Sequence, residues 1–554
     1  MTPKGKAELL FVALGGAGEI GMNLNLYGFG APGRHRWMMV DLGVTFADGT
    51  PPGFDVIMAD PAFIEERREQ LDGLVLTHAH EDHLGATAYL WERLECPIYA
   101  TGFTASILRR KLRETGLESR AKITEVPLKG HFSVGPFDLE MISLTHSIPE
   151  PNSIAIRTPL GTVLHTGDWK FDPGPVVGPT ADEEALHRLG EEGVLAMIGD
   201  STNVFSPGPA ASEADLKESL TRLIAGCPKR IAVACFATNV ARLETISAAA
   251  RANGRDVALA GRSLRRIDEA ARENGYLADT PAFLDEGEAG FLPDDKALII
   301  CTGSQGEPRA ALARIAAGSH PRLSLGEGDT VIFSSKIIPG NEMSIARLHN
   351  RLISLGVEVI TEQDAFVHVT GHPCRDEMIR LYQLVSPRIA VPVHGEVRHL
   401  MAHGELAAGC KVAEQVVATN GEMVRLAPGG GSVVDHVEVG RLALDGNRLV
   451  RLDGEMARER GRALYNGVAT VSLALDSKGR LAGAPQFSTV GLLGAEEGFG
   501  EAVEGAVDKA LGTMAAGALK DDDQVREAVR IAVRRVFRET LAKKPLTKVH
   551  LHRL

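Results

Sequence analysis

Thr77-His78-Ala79-His80-Glu81-Asp82-His83-Leu84-Gly85 decides how the rest of this chain is read. The apolar run in front of it, Leu74-Val75-Leu76, reads as a buried strand. Strand side chains alternate between faces, so His78 and His80 leave the strand's end on one side, and Asp82 and His83 come round on the next turn. Three imidazoles and one carboxylate so close together suit zinc, with manganese as a substitute. A single structural ion would use all four. A catalytic site needs open positions, so a second ion and ligands from elsewhere in the chain are expected. The bland alternative, a histidine-rich surface turn, leaves the His-x-His-x-Asp-His spacing behind an apolar strand without a reason.

The chain has 554 residues, room for three or four domains, and its 44% hydrophobic and 24% charged content is that of a globular protein. No apolar run approaches the roughly 20 residues of a membrane span. The N-terminus, Met1 to Lys6, leads directly into a strand at Leu9-Leu10-Phe11-Val12 without a secretory h-region. A cytoplasmic protein with no membrane partner is expected. The six cysteines are scattered with no Cys-x-x-Cys pair, which argues for reduced thiols and against a disulfide framework or thiolate zinc site. The net charge of −12 argues mildly against a nucleic-acid partner. It does not exclude one, because a basic groove can sit in an acidic shell and bound metal adds positive charge.

Upstream, Gly16-Ala17-Gly18-Glu19-Ile20-Gly21 is a literal GxGxxG after a strand, with Asp41 placed where a ribose-binding acid would be. A dinucleotide site also needs a helix starting in that loop, yet Met22, Leu24 and Leu26 alternate with Asn23, Asn25 and Tyr27. That is a strand period, so the glycines are read as a tight hairpin turn. Downstream, helices are expected over Ala86–Leu94 and Phe103–Glu114. The second, with its exit, carries Arg109, Arg110, Lys111, Arg113, Arg120 and Lys122, either a solvated face or a basic patch for a polyanion.

Strand ends at Leu144-Thr145-His146, His165-Thr166-Gly167-Asp168 and Ile198-Gly199-Asp200 add metal-type residues, with Asp168 the natural bridge between two cations. From about Pro209 the chain turns to regular strand–helix alternation, a parallel α/β unit. Its strands empty into polar loops at Ala237-Thr238-Asn239, Thr302-Gly303-Ser304-Gln305-Gly306 and Pro339-Gly340-Asn341-Glu342. Loops at the carboxyl ends of parallel strands are where such sheets bind ligands, and these suit phosphate. Histidines return at strand ends in Val367-His368-Val369-Thr370-Gly371-His372 and Val391-Pro392-Val393-His394-Gly395-Glu396. If Asp168 and His394 share a site, a whole domain is inserted between them. Beyond the break at Ala427-Pro428-Gly429-Gly430-Gly431-Ser432, a last unit from about Arg460 holds no dense metal or nucleophile constellation and reads as an assembly or RNA-guiding module.

Together these motifs resemble the β-CASP nucleases of the metallo-β-lactamase superfamily, and within them the bacterial ribonuclease J family, over nearly the whole chain. The resemblance implies an α/β fold: a metallo-β-lactamase αββα sandwich (1–208 and 367–428) with an inserted parallel β-CASP domain (209–366). A linker (429–459) and a small C-terminal α/β domain (460–554) would follow. It implies two zinc ions per chain, with Mn2+ or Mg2+ as substitutes. His78, His80 and His146 would hold one, Asp82, His83 and His394 the other, and Asp168 both. Asp82, Asp200 and His372 would be catalytic. Thr238, Ser304, His368, Thr370, Gly371 and His372 would contact RNA phosphate, Thr238 standing where the family often has serine. The implied activity is hydrolysis of single-stranded RNA as a 5′-to-3′ exonuclease and endonuclease in RNA decay and maturation. A 5′ monophosphate would be preferred and the enzyme would be a homodimer or homotetramer. The alternatives are a small-molecule thioester or lactam hydrolase, a purely endonucleolytic β-CASP enzyme, and a non-catalytic RNA-binding scaffold.

Overall fold

Two sheets carry the metal motifs in this computed structural model, which describes residues 6–46, 53–338, 340–493 and 498–554. Met1–Gly5 and Pro339, both read above, lie outside the described residues. The first sheet orders its strands as Ser432–His436, Glu422–Ala427, Glu8–Gly15, Leu24–Gly30, Arg36–Val40, Leu71–Val75, Ile98–Ala100 and Ile123–Glu125. The second runs His131–Val134, Phe137–Ser143, Asn152–Thr158, Gly161–His165, Ala196–Asp200, Ile389–Val393 and Glu414–Gln415. Their inner faces alternate apolar side chains into one core, with Phe11, Tyr27, Met38 and Val75 of the first sheet in one cluster with Phe137, Met141, Ile156, Ile198 and Val391 of the second. The outer face of the second sheet is covered by the helices Glu183–Glu192, Arg375–Val385 and Val397–Gly409, whose Leu186, Leu381 and Leu406 share a second cluster with Leu164 and Met197. This is the four-layered αββα arrangement.

Between Asp200 and Ile389 the chain builds a separate parallel sheet, ordered Asp256–Ala260, Ala297–Cys301, Ile231–Ala234, Thr330–Phe333, Glu358–Ile360. Its core is its own, built from residues such as Ile299, Leu312, Val331 and Leu352. Strand Ile389–Val393 then pairs in parallel with Ala196–Asp200, bringing His394 beside Asp200 although a whole sheet intervenes in sequence.

The described residues form two compact units, 6–46 with 56–338 and 340–440, and 53–55 with 441–493 and 498–554. In the second, strands Gln486–Val490, Val468–Leu475 and Leu546–Arg553 lay one face on the helices Gly500–Gly512 and Asp522–Leu541. Valines at 525, 529 and 533 with Phe537, spaced four apart, fill that contact.

Two expectations are corrected. The glycine-rich loop is no simple tight turn: Ala17–Gly18 forms a short parallel ladder with Gly395–Glu396, and the Gly16 carbonyl accepts the His394 backbone N–H at 2.6 Å. Gly16 sits at φ +88, where a Cβ would meet the Asn23 side chain at 2.2 Å. Residues 367–372 belong to no strand. His368 and His372 therefore leave an irregular segment, its direction set by contacts rather than by a ladder.

Candidate metal centre

His80 precedes the short helix Glu81–Leu84, and that single turn swings Asp82 and His83 back toward His78. His146 follows strand Phe137–Ser143, Asp168 follows Gly161–His165, and His394 follows Ile389–Val393 at φ +53. Three groups of donor atoms result, each lying within 4.8 Å: His78, His80, His146 and Asp168; Asp82, His83, Asp168 and His394; and Asp168, Asp200, His372 and His394. Asp168 is common to all three. Its Oδ2 lies 3.9 Å from both His78 Nε2 and His146 Nε2, 3.1 Å from His83 Nε2 and 3.8 Å from His394 Nε2. All seven donors expected from the sequence meet here, with Asp200 and His372 at their edge.

A second layer fixes the rings. Nδ1–H of His83 donates to Asp41 Oδ2 at 2.7 Å, of His78 to Thr77 Oγ1 at 2.9 Å, of His146 to the Gly371 carbonyl at 2.5 Å, and of His394 to Thr202 Oγ1 at 2.8 Å. Each bond turns Nε2 toward the cluster, and at His78 and His146 it leaves a lone pair there. At His83 and His394 the nearby carboxylates, Asp168 foremost, outweigh burial and raise the pKa well above the usual range, so these two would ligate a metal by giving up a proton to it. The Thr77 hydroxyl donates in turn to Asp41, and that of Thr202 to Asp200 Oδ1 at 2.7 Å. Behind Asp200, the Tyr382 hydroxyl donates to His403 Nε2, and His403 Nδ1–H donates to Ser201 Oγ, both at 2.9 Å. Asp41, Thr77, Thr202 and His403 were not legible as site residues. Asp41 was noticed only as a misplaced ribose acid, and nothing but its position at a strand end hinted at more.

Burial holds His78 and His146 well below the ordinary histidine range, and His80 down to about 4, so these three imidazoles are neutral as metal ligation requires. Burial also opposes charge on Asp168, but His394, His83 and His372 outweigh it and keep the carboxylate ionised. Asp200 is depressed in the same way by His372, whose Nδ1 sits 2.8 Å from Asp200 Oδ2. The partner effect raises His372 against its burial, through Asp200 and Asp168. A partly exposed imidazole whose carboxylate neighbours favour its protonated form thus stands at the mouth of the cluster. The donor set, five neutral or neutralisable imidazoles with two ionised carboxylates, fits a pair of divalent cations.

Of the phosphate-type residues, Thr370 lines a small polar cavity beside His146 together with Ser147, Lys170, Asp172, Glu213 and Asn239. His368 is kept well below its usual range by burial and by Arg242, Lys336 and Lys170, three cations around one neutral ring. Those cations were missed because they are scattered in sequence. Thr238 is half-buried next to Asn239, while Ser304 is buried at the end of the adjacent strand and does not line that cavity. The expected basic helix resolves as a paired surface: Arg110 meets Glu273, Lys111 Glu81 and Arg113 Glu118 within 2.6–2.7 Å, and Arg109 and Arg120 pair with Glu125 and Glu92. Charges neutralised in place are a solvated face rather than a polyanion platform.

Comparison with known proteins agrees with this geometry. Residues 33–225 match the metallo-β-lactamase superfamily, 228–352 the ribonuclease J β-CASP domain, 356–416 a Zn-dependent metallo-hydrolase RNA specificity domain, and 456–554 the ribonuclease J C-terminal domain. The chain is 44% identical to ribonuclease J of Sinorhizobium meliloti over 548 residues, covering 98% of this chain and 97% of that protein. It is 38% identical to the Mycolicibacterium smegmatis ribonuclease J over 552 residues (98% and 97%) and 36% to that of Thermus thermophilus over 470 (83% and 81%). A crystal structure of an Enterococcus faecalis V583 protein of unknown function shares the fold at a TM-score of 0.51 and 16% identity, covering 76% of this chain and 100% of that one. The chain belongs to the ribonuclease J family and is a metal-dependent ribonuclease of metallo-β-lactamase fold.

Proposed function

We propose that the chain uses two zinc ions to hydrolyse single-stranded RNA, as a 5′-to-3′ exonuclease that also cuts internally, in cytoplasmic RNA decay and maturation. The observation that carries this reading is Asp168, one ionised carboxylate common to every donor group. His78, His80 and His146 would hold one ion and Asp82, His83 and His394 the other, with Asp168 shared. When bound, such a pair supplies positive charge for the phosphoryl oxygens and a water acidic enough to attack at neutral pH. The residues do the rest. Asp82, whose side chain is 30% exposed, orients the attacking hydroxide, the water's proton having passed to solvent. His372, held protonated by Asp200, delivers a proton to the 3′ oxygen as the P–O bond breaks, leaving a 5′ phosphate on the downstream product.

The cavity beside His146 supports recognition of a 5′ monophosphate. Ser147, Asn239 and Thr370 offer hydrogen bonds there; Lys170 and Arg242 are paired with Asp172 and Glu213, and Lys336 adds positive charge felt at His368. Thr238 and the Gly371 backbone would extend this contact surface, with Ser304 buried behind it rather than facing the RNA. A pocket shaped to a single terminal phosphate would reject the bulk and charge of a triphosphate. The test is digestion of identical unstructured RNAs bearing 5′ monophosphate, triphosphate or hydroxyl, with products sized. Mononucleotides released fastest from the monophosphate form support the reading; equal rates with only internal cuts would replace it with a plain endonuclease. The unit after Arg441, regular in structure and without a metal cluster among its described residues, would serve self-association into a dimer or tetramer.

A further inference from the structure

Glu150 lies outside the metal centre, yet its backbone is left-handed at φ +58, a conformation non-glycine residues keep only where their surroundings enforce it. The enforcement is visible. Glu150 Oε2 accepts the backbone N–H of Phe103 at 2.8 Å, in the first turn of the helix Gly102–Glu114 of the metal domain. Glu150 Oε1 accepts the hydroxyl of Tyr276 at 3.0 Å, and Tyr276 belongs to the inserted domain. The Phe103 and Tyr276 rings meet edge to face with centroids 6.1 Å apart. Beside them Arg110 pairs with Glu273 and Arg266 with Glu114, each at 2.6 Å, so the helices Gly102–Glu114 and Arg262–Glu273 face each other across the domain seam.

The segment that carries Glu150 also carries a metal-type ligand. His146 lies four residues before it, bonded to the Gly371 carbonyl. Asn152 lies two residues after it, its backbone N–H bonded to the Thr77 carbonyl at 3.2 Å and its side-chain amide to the Glu150 carbonyl at 2.7 Å. One short stretch therefore touches the metal motif, the return of the chain from the insert, and the insert itself.

We propose that Glu150 is a positioning residue whose carboxylate, gripping Tyr276 and the Phe103 N–H together, sets the seat of the inserted domain against the segment bearing His146. This rests on the proposed function: RNA must be held by both domains at once, so its phosphate reaches the cluster only if the seat is right. A small phosphodiester needs the cluster alone.

The experiment compares wild type with Tyr276→Phe, Glu150→Ala and the double variant, all as full-length zinc-loaded protein. Two substrates are used, a 5′-monophosphorylated unstructured RNA and bis(p-nitrophenyl) phosphate. Removing the hydroxyl that donates to Glu150 should lower kcat on RNA about tenfold with little change in KM, and leave turnover of the small ester unchanged. Because the hydroxyl acts through the carboxylate, Tyr276→Phe should add nothing in the Glu150→Ala background. Glu150→Gln, which keeps one acceptor oxygen, should fall between wild type and Glu150→Ala. Equal losses on both substrates, no loss on RNA, or additive effects of the two substitutions would overturn the proposal. A wild-type protein that cleaves neither substrate with zinc bound would instead overturn the two-metal reading beneath it.

Discussion

Replacing Asp41 by Asn should weaken one ion site and spare the other. Asp41 is fully buried and its carboxylate collects three donors: Thr77 N–H at 2.8 Å, the Thr77 hydroxyl at 2.9 Å and His83 Nδ1–H at 2.7 Å. Asparagine has the same shape and tolerates the residue's φ of +64, so the backbone is undisturbed. Its oxygen can still serve Thr77 N–H, which turns its amide toward His83. Two N–H groups then face each other, and the relief open to His83 is to move its proton to Nε2, the atom 3.1 Å from Asp168 Oδ2. A ligand that presents a proton cannot bind metal. Loss of such a partner costs about 10–100-fold in metal affinity, about 1.4–2.7 kcal/mol. Competition against a graded zinc chelator should show two binding steps in the wild type and only one of them weakened in the variant. RNA hydrolysis should fall at limiting zinc and recover in excess. Two unchanged steps would refute the role given to Asp41, and two equally weakened steps would show that the substitution merely loosens the fold.

Further outcomes follow from the same geometry. His372→Ala should lower RNA hydrolysis about 100-fold or more while leaving bound zinc unchanged, because the residue acts at the leaving oxygen; zinc lost in parallel with activity would reassign it as a ligand. Burial holds His403 down to about 4 in the folded protein, below its unfolded value, so the folded state binds fewer protons between those two values. Its share of stability is therefore whole above about pH 6.5 and falls by about 3 kcal/mol as the pH drops toward 4. Urea unfolding of His403→Gln across that window should show a flatter pH dependence, and an unchanged slope would contradict the assignment. A chain ending at Gly440 should sediment as a smaller assembly than the full-length protein, and equal oligomeric states would move the self-association surface out of the C-terminal unit.

What could be read in advance followed from local rules. The His-x-His-x-Asp-His run declares itself because a strand end and one helical turn suffice to aim four side chains, and no distant residue is needed. His146, Asp168 and His394 were legible as strand-end residues, since the α/β pattern marks where strands stop. Their convergence was not, because it depends on strand Ile389–Val393 pairing beside Ala196–Asp200 across an entire inserted sheet. Asp41 escaped for a related reason: its partner His83 is 42 positions away, and a lone buried aspartate looks the same whether it caps a turn or orients a ring. Lys170, Lys336 and Arg242 carry no local pattern at all. The basic helix stayed open between a solvated face and a basic patch for a related reason, since five cations on it and its exit are close in sequence but their glutamate partners at 81, 92, 118, 125 and 273 are mostly remote.

The central claim is that the cluster around Asp168 holds the ions on which RNA hydrolysis depends. Protein stripped by chelator should be titrated with zinc while bound metal and cleavage of a 5′-monophosphorylated RNA are followed together, in the wild type and in Asp168→Ala. The account predicts about two zinc ions per wild-type chain, with activity appearing as the second binds, and neither full loading nor hydrolysis in a folded Asp168→Ala protein. Full RNA hydrolysis by the stripped wild type, or by the zinc-poor variant, would contradict it.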